Sequence, residues 1–320
     1  MLADTDNLTI FTEFLLMDAS SSRELQILQG LIFLVVYLGA LAGNLLTFTI
    51  IVIDSHLHFP VYFFMGNLSL IDFGYISVTV PKSITNSLMG HKVISLRACA
   101  AQTFLFIFFG AAEFFFLVVM SYDRYVAICH PLHYASTVSP RFCTQVSCGS
   151  WASGLVYSAV HTGTMFSHPF TESNVIHQFF CDVPQIMSIS SQAVQFSEFV
   201  AIAVSVCITL FGFVILFASY VHIFSTVLHM HSVEAQKKTL STCSPQIATL
   251  TLFIISGLFA FLGPVSNSSS IQTLLTAMFY SMVSPLVNPI IFSLRNREIK
   301  SAVHRMLKKV FQLHRRDFIS

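Results

Sequence analysis

The sequence predicts an all-α membrane protein, a bundle of seven transmembrane helices with a short amphipathic inner-leaflet helix after the seventh span. Three observations predict it. The 320-residue chain is 54% hydrophobic and only 10% charged, with 33 phenylalanines, whereas a soluble domain carries about 25% charged residues. Seven stretches stay apolar over the roughly 20 residues needed to cross a bilayer core of about 30 Å. Lysine and arginine gather on one side of those stretches. A net charge of +1, with no run of like charge, gives no basis for nucleic-acid binding. Residues 1–320 read as a single domain.

Taken in order, residues 1–26 hold five acids and one arginine. A cleaved signal peptide would instead start with a basic segment and a short apolar core. The first apolar run is therefore read as an uncleaved anchor. The spans fall at approximately 27–53, 60–88, 98–123, 142–163, 197–228, 239–263 and 272–293. Those longer than the bilayer requires must tilt or project beyond it.

Seven crossings put the termini on opposite sides. With the N-terminus outside, the outer segments contain Arg23, Lys82, Lys92 and Arg97. The inner segments contain Arg124, Arg141, Lys237, Lys238 and eight more basic residues after 294. That asymmetry follows the positive-inside rule and predicts a multi-pass plasma-membrane protein with an extracellular N-terminus. The sequon Asn7-Leu8-Thr9 then lies where N-glycosylation occurs. Asn67-Leu68-Ser69 falls within the second span, and Asn267-Ser268-Ser269 lies outside but close to the membrane.

Residues 164–196 form the one long connection, facing outward, and a loop longer than about 15 residues is usually functional or disordered. Residues 294–312 place apolar Leu294, Ile299, Val303, Leu307 and Val310 among basic residues. That pattern predicts a helix on the inner leaflet, the alternative being a disordered basic tail. No internal repeat suggests the duplicated halves of a transporter.

Of the seven cysteines, only Cys99 and Cys181 face the oxidising side on this topology. Connectivity is not readable from sequence in general, but two available partners leave one choice. A Cys99–Cys181 disulfide would pin the long loop over the third helix.

Acids inside the spans are few: Asp72 in the second, Glu113 in the third and Asp123 at the third span's inner end, with Glu198 near the outer end of the fifth. An intramembrane ionisable group costs about 2.5–3.5 kcal/mol on insertion scales and normally faces the bundle interior. Asp72 and Glu113, with Asn44 and Ser121 as neighbours, could hold a cation such as sodium between oxygen ligands. Two protonated, hydrogen-bonded carboxyls are the alternative. Arg124 sits about 37 Å below Cys99 at 1.5 Å per residue, which places it at the inner interface. Taken alone, an arginine there is a snorkelling anchor. Prolines interrupt the spans at Pro81, Pro264, Pro285 and Pro289, each freeing a carbonyl and permitting a kink.

The stretch MSYDRYVAICHPLHY (120–134) resembles the signature at the inner end of the third helix in olfactory receptors, a branch of the rhodopsin-like G-protein-coupled receptors. Matching motifs follow in family order: Gly43-Asn44, LHFPVYFFMGNLSLID (57–72), HQFFCD (177–182), Ser219-Tyr220, KKTLSTCSPQ (237–246) and PLVNPIIFSLRN (285–296). The resemblance covers about residues 5–305. It departs from the usual pattern at Ser121, at Gln246 where histidine is usual, and at Phe292 where tyrosine is usual. Thr171 and Ser191 stand where many members carry a second outer-loop disulfide.

The resemblance implies a receptor, not an enzyme, for small and mostly apolar odorants. It would couple to a stimulatory, olfactory-type G protein that raises cyclic AMP. Carried over by position, the pocket would be lined by Phe106, Ile107, Gly110, Ala111, Val204, Ser205, Ile208, Gly257, Phe261, Met278 and Ser281. Apolar walls with a few hydroxyls suit a small, weakly polar ligand. The switch would comprise Asp123, Arg124, Tyr125, Tyr220, Asn288 and Pro289. Lys237, Lys238 and the basic helix after Arg295 would meet the G protein or anionic lipid.

Rival readings are weaker. An intramembrane hydrolase would need a nucleophile and base at span depth, and no GxSxG is present. The HxH pairs at His56/His58 and His229/His231 lack carboxylates at helical spacing. A rhodopsin-like receptor for a non-odorant ligand is the closest alternative. The third span carries no acid in its outer half, which weighs against an amine.

Overall fold

The protein is described here by a computed structural model covering residues 11–17, 22–171, 173–262, 271–296, 298–306 and 308. An apolar run in lipid can satisfy its backbone only within itself, so it becomes a helix. Seven long helices form: α1 (Arg23–Ile53), α2 (Pro60–Met89), α3 (Leu96–Cys129), α5 (Pro140–Met165), α7 (Gln192–Leu228), α8 (Val233–Leu262) and α9 (Ile271–Arg295). Two short helices, α4 (Tyr134–Thr137) and α6 (Val183–Ser188), lie in the connections.

Local chemistry sets the boundaries. Ser95 and Ser139 cap α3 and α5 by accepting from the amides of Ala98 and Phe142. Pro60 and Pro140 occupy first-turn positions where no amide hydrogen is needed. Gly90 ends α2 with a φ of 76°, a left-handed conformation that side chains disfavour. The helix α3 runs six residues past the expected span end, stopping at Cys129 before Pro131. The Asp123–Arg124 pair therefore lies inside the helix and not at its terminus.

Six of the long helices are apolar enough to cross a membrane by length and composition. The exception is α5, rich in serine, threonine and glycine. Four of its hydroxyls turn back onto their own helix, Thr144 to Pro140 O, Ser150 to Val146 O, Ser158 to Leu155 O and Thr164 to Val160 O, all at 2.8–3.0 Å, while those of Ser147 and Thr162 are buried without a partner. That pairing removes most of the penalty of a hydroxyl in an apolar medium.

At the disulfide end of the bundle the chain makes a three-stranded sheet in the order β2 (Val93–Ser95), β1 (Glu13–Leu16), β3 (Val175–Ile176). The middle strand comes from the N-terminal segment, antiparallel to β2 with Glu13 opposite Ser95 and parallel to β3 with Leu15 opposite Val175. Alternation puts Phe14 and Leu16 inward, where they pack with Ile94, Phe170, Ile176 and Cys181. The sequence reading had no strand there. Residues 1–10, including the sequon at Asn7, and Pro264 lie outside the described residues.

At the opposite end, a helix over 298–306 follows α9. Ile299 and Ala302 are buried, and Val303 and Met306 pack half-buried, against a cluster containing Leu57, Phe64 and Phe292. Phe292 is fully enclosed there, so a ring without a hydroxyl suits its surroundings. Arg305 donates to Asp54 Oδ2 at 2.6 and 2.9 Å, and the His56 ring lies 2.9 Å from Asp54 Oδ1. Burial alone would raise the Asp54 pKa. The hydrogen bonds from Arg305 and His56 outweigh it and hold the carboxyl at about 2. Leu307 and Val310 lie outside the described residues.

Candidate functional site

A polar network fills the middle of the bundle. Asn288 on α9 donates to Asp72 Oδ2 at 3.0 Å and to Ser284 Oγ at 3.2 Å, and Ser284 donates to Glu113 Oε1 at 3.1 Å. The two intramembrane acids are thus joined through α9. Asn44 belongs beside this network for a different reason. A proline at 289 cannot bond the carbonyl four residues back, which leaves Pro285 O free. Asn44 Nδ2 reaches that oxygen at 2.8 Å.

The approach needs Gly43, because a Cβ there would stand 3.0 Å from the Pro289 ring. Gly43-Asn44 and the two prolines are therefore one docking surface between α1 and α9. Ser121 was expected near the acids but donates to Val118 O of its own helix at 2.7 Å. It lies eight residues, about 12 Å, along α3 from Glu113.

Several acceptor oxygens in this centre are buried without a hydrogen-bond donor: Asp72 Oδ1, Asn44 Oδ1 and Asn288 Oδ1. Buried polar atoms are normally paired, so unpaired lone pairs around two carboxyls fit a hard cation with oxygen ligands. Among the described residues no group of three or more His, Cys, Asp or Glu side chains is placed to hold a metal. A transition-metal donor set is therefore missing from them.

Toward the end opposite the disulfide, Asp123 is held on both oxygens. Arg124 donates to Oδ2 at 2.8 and 3.1 Å, and the Tyr134 hydroxyl donates to Oδ1 at 2.8 Å. Asp123 is 1% exposed and Arg124 14%. Burial and the Asp123 charge push the Tyr134 phenol above its ordinary range. Tyr125 pairs with His130 at 3.0 Å. Tyr220 is half-buried with no partner for its enclosed hydroxyl, and both amide atoms of the buried Gln246 are likewise unpaired. Lys237 and Lys238 are exposed in the first turns of α8.

At the other end the long connection is bolted across the helices. Cys99 and Cys181 form a disulfide. Gln102, one turn below Cys99, takes the Cys181 amide on its oxygen at 2.9 Å and donates to Val78 O at 2.8 Å. Ser83 donates to Phe179 O, and Gln178 donates to Thr273 O. Beneath this cover the Phe106 ring packs tilted against Tyr75 and Phe180 and edge-on to Tyr280, at centroid distances of 4.9, 5.4 and 6.4 Å. The Asp182 carboxyl, next to Cys181, is pushed up to about 7 by burial, against the pull of the Tyr280 hydroxyl.

Comparison with known proteins places this arrangement. A sequence model of the family described as olfactory receptor matches residues 33–310. Human olfactory receptor 14I1 is 50% identical over 310 residues, 97% of this chain and 100% of its own length. Human olfactory receptor 14C36 is 46% identical over 306 residues, 95% and 98% of the two chains. The chain belongs to the olfactory receptor family. Squid rhodopsin superposes with a TM-score of 0.72 at 18% identity, covering 92% of this chain and 88% of that one, so the fold is the rhodopsin-like one. The family is one of membrane receptors, not enzymes, and it implies odorant ligands and G-protein coupling.

The candidate pocket of this olfactory receptor divides into two regions. Phe106 and Met278 sit with the aromatic cluster between α1, α2 and α9. Ser281 is buried there and donates to Ala277 O at 2.6 Å. Gly110 leaves room beside Tyr75, whose ring would lie 3.8 Å from a Cβ. Ala111 is half-buried, and Ile107 packs on the cluster formed with Phe14 and Phe170. Gly257 on α8 has open space around it, and the Phe261 side chain lies outside the described residues.

Two expected lining residues stand elsewhere. Val204 is 58% exposed and Ile208 45%. The inward stripe of α7 runs through Glu198, Ser205, Gly212, Leu216 and Ser219. A rotation of about 100° per residue turns Val204 off it, and Ile208 lies one turn along the same outer flank.

The sequence reading missed the partner of Ser205. His161 of α5 bridges Glu198 and Ser205, with Nδ1 on Glu198 Oε1 and Nε2 2.8 Å from Ser205 Oγ. A histidine near the outer end of a span was the available signal, but its partners lie 37 and 44 residues away.

Proposed function

We propose that this is an odorant receptor of the plasma membrane with its N-terminus outside. It takes small, mostly apolar organic molecules between α3, α7, α8 and α9, in the half of the bundle nearest the disulfide. It passes the signal to a stimulatory, olfactory-type G protein that raises cyclic AMP. The observation that carries the reading is the closed clasp of Asp123 by Arg124 and Tyr134, at the far end of the bundle from the covered aromatic cluster. Ligand can act only by favouring one of two arrangements, and the clasp is a contact that one arrangement makes and the other breaks.

In the active arrangement Arg124 leaves Asp123 and, with Tyr220, forms part of the G-protein seat. Lys237, Lys238 and the basic C-terminal helix meet the G protein or anionic lipid. Asn288 and Pro289 supply the deformable part of α9. Arg124→Ala should abolish odorant-dependent cyclic AMP while surface expression persists. Tyr134→Phe, which releases one oxygen of Asp123, should raise the basal signal. Normal odorant responses in Arg124→Ala would overturn the assignment.

The central acids fit a resident cation. We propose sodium, held by Asp72 and Glu113 with the amide oxygens of Asn44 and Asn288 nearby. A hard monovalent ion suits oxygen donors and would neutralise charge that lipid disfavours. It would stabilise the arrangement in which α2, α3 and α9 are drawn together.

A further inference from the structure

The buried His161–Glu198–Ser205 unit lies outside the switch and the central acids. It rests on no charge from elsewhere: among the described residues Glu198 has no ion-pair partner but His161. His161 is 6% exposed, Glu198 1% and Ser205 8%. We infer that Ser205, held by the His161–Glu198 pair, selects ligands that carry a hydrogen-bond donor over ligands of the same shape that can only accept. This rests on the reading that odorants bind in this half of the bundle, and it names their chemical class as alcohols, phenols and N–H compounds.

The argument is a count of hydrogens. Ser205 Oγ lies 2.8 Å from Ala201 O and 2.8 Å from His161 Nε2. A carbonyl only accepts, so the single serine hydrogen goes to Ala201. Nε2 then donates to Ser205 Oγ. Nδ1 and Glu198 Oε1 share a second proton, whichever atom carries it. This arrangement is neutral overall. Giving the serine hydrogen to Nε2 instead would leave a neutral imidazole beside a bare carboxylate, an uncompensated charge in an apolar medium.

Every hydrogen of the unit is therefore used internally. What remains are lone pairs: the second one on Ser205 Oγ, and Glu198 Oε2, which is buried without a partner. The Tyr157 ring covers the imidazole at a centroid distance of 4.4 Å. A ketone or ether presents only lone pairs to lone pairs, which no hydrogen bond can join. In this scheme Ser205 touches ligand, while His161 and Glu198 are positioning residues.

The test is a cyclic-AMP concentration–response comparison of alcohols with their methyl ethers on the full-length receptor in cells, with surface expression measured in parallel. Ser205→Ala and His161→Phe should each lower the potency ratio of alcohol to ether by about tenfold, the loss of one hydrogen bond of about 1.4 kcal/mol. Glu198→Gln can donate its amide to Nδ1 and keep the pattern, so it should retain the parental ratio, whereas Glu198→Ala should lose it. A purely structural role would move alcohol and ether together. An unchanged ratio in Ser205→Ala, or equal shifts for both ligand types in His161→Phe, removes this inference alone. A parent receptor silent to the whole volatile panel removes the odorant reading, and this inference with it.

Discussion

Asn44 should be needed as a donor because Pro289 is a proline. Its side chain donates to Pro285 O at 2.8 Å, the oxygen that an ordinary residue at 289 would bond through its own amide. Asn44→Ala leaves that carbonyl buried and unpaired, since Asn44 and its surroundings are closed to solvent. An orphaned buried acceptor costs about 1–3 kcal/mol, while interhelical hydrogen bonds in membranes average about 0.6 and reach about 1.7 kcal/mol. The expected loss is therefore about 1–2 kcal/mol, read as a lowered midpoint of thermal unfolding in detergent. The second donation, to Ala40 O at 3.0 Å, adds little because that carbonyl keeps its helical partner.

The decisive measurement is a double-mutant cycle with Pro289→Ala. In that background the restored amide at 289 bonds Pro285 O, so Asn44→Ala should become nearly neutral. The coupling energy should be about 1 kcal/mol. Strictly additive effects would show that Asn44 does not serve the carbonyl freed by Pro289, and the account of the α1–α9 docking surface would fall.

Sodium should raise thermal stability by about 1.4 kcal/mol when its concentration passes from zero to ten times its dissociation constant. Asp72→Asn should abolish that rise, and an equal response to potassium would refute a fitted site. Asp182 gives a pH dependence of opposite sense to a carboxylate paired with a cation, such as Asp54. Its folded pKa of about 7 lies above the ordinary 3.8, so the folded state binds the proton more tightly. That stabilisation is complete below about 4 and is lost as pH rises through about 7. Amide protection factors in the 177–188 segment, exchange rates divided into the intrinsic rate at each pH, should fall over that interval in the parent and stay flat in Asp182→Asn. A fall in protection of the same size in both would rule Asp182 out as the cause.

Composition, run length and the placement of basic residues were enough to set the fold class, because lipid allows a continuous apolar segment few options. The disulfide was readable because the topology left Cys99 and Cys181 as the two cysteines on one side. The acids Asp72 and Glu113 were visible as costly exceptions, and the Asp123–Arg124 motif was visible through its neighbours. Helix rotation was only partly read. In 197–228 the polar and small residues Glu198, Ser205, Gly212 and Ser219 recur every seven residues and mark the inward stripe, a spacing that already turns Val204 outward. Pairings across long separations were hidden, since each partner alone is an ordinary polar residue.

Sequence by itself therefore determined that this chain is a seven-helix membrane protein, where its helices lie and which residues are expensive in lipid. Those properties follow from local solvation and spacing. Tertiary structure alone decided that Asn44 answers the carbonyl freed by Pro289, that the N-terminal Phe14 and Leu16 close the disulfide end, and that His161 joins Glu198 to Ser205. Each is a contact between groups far apart in the chain, made only when the packed helices fix their rotation and depth.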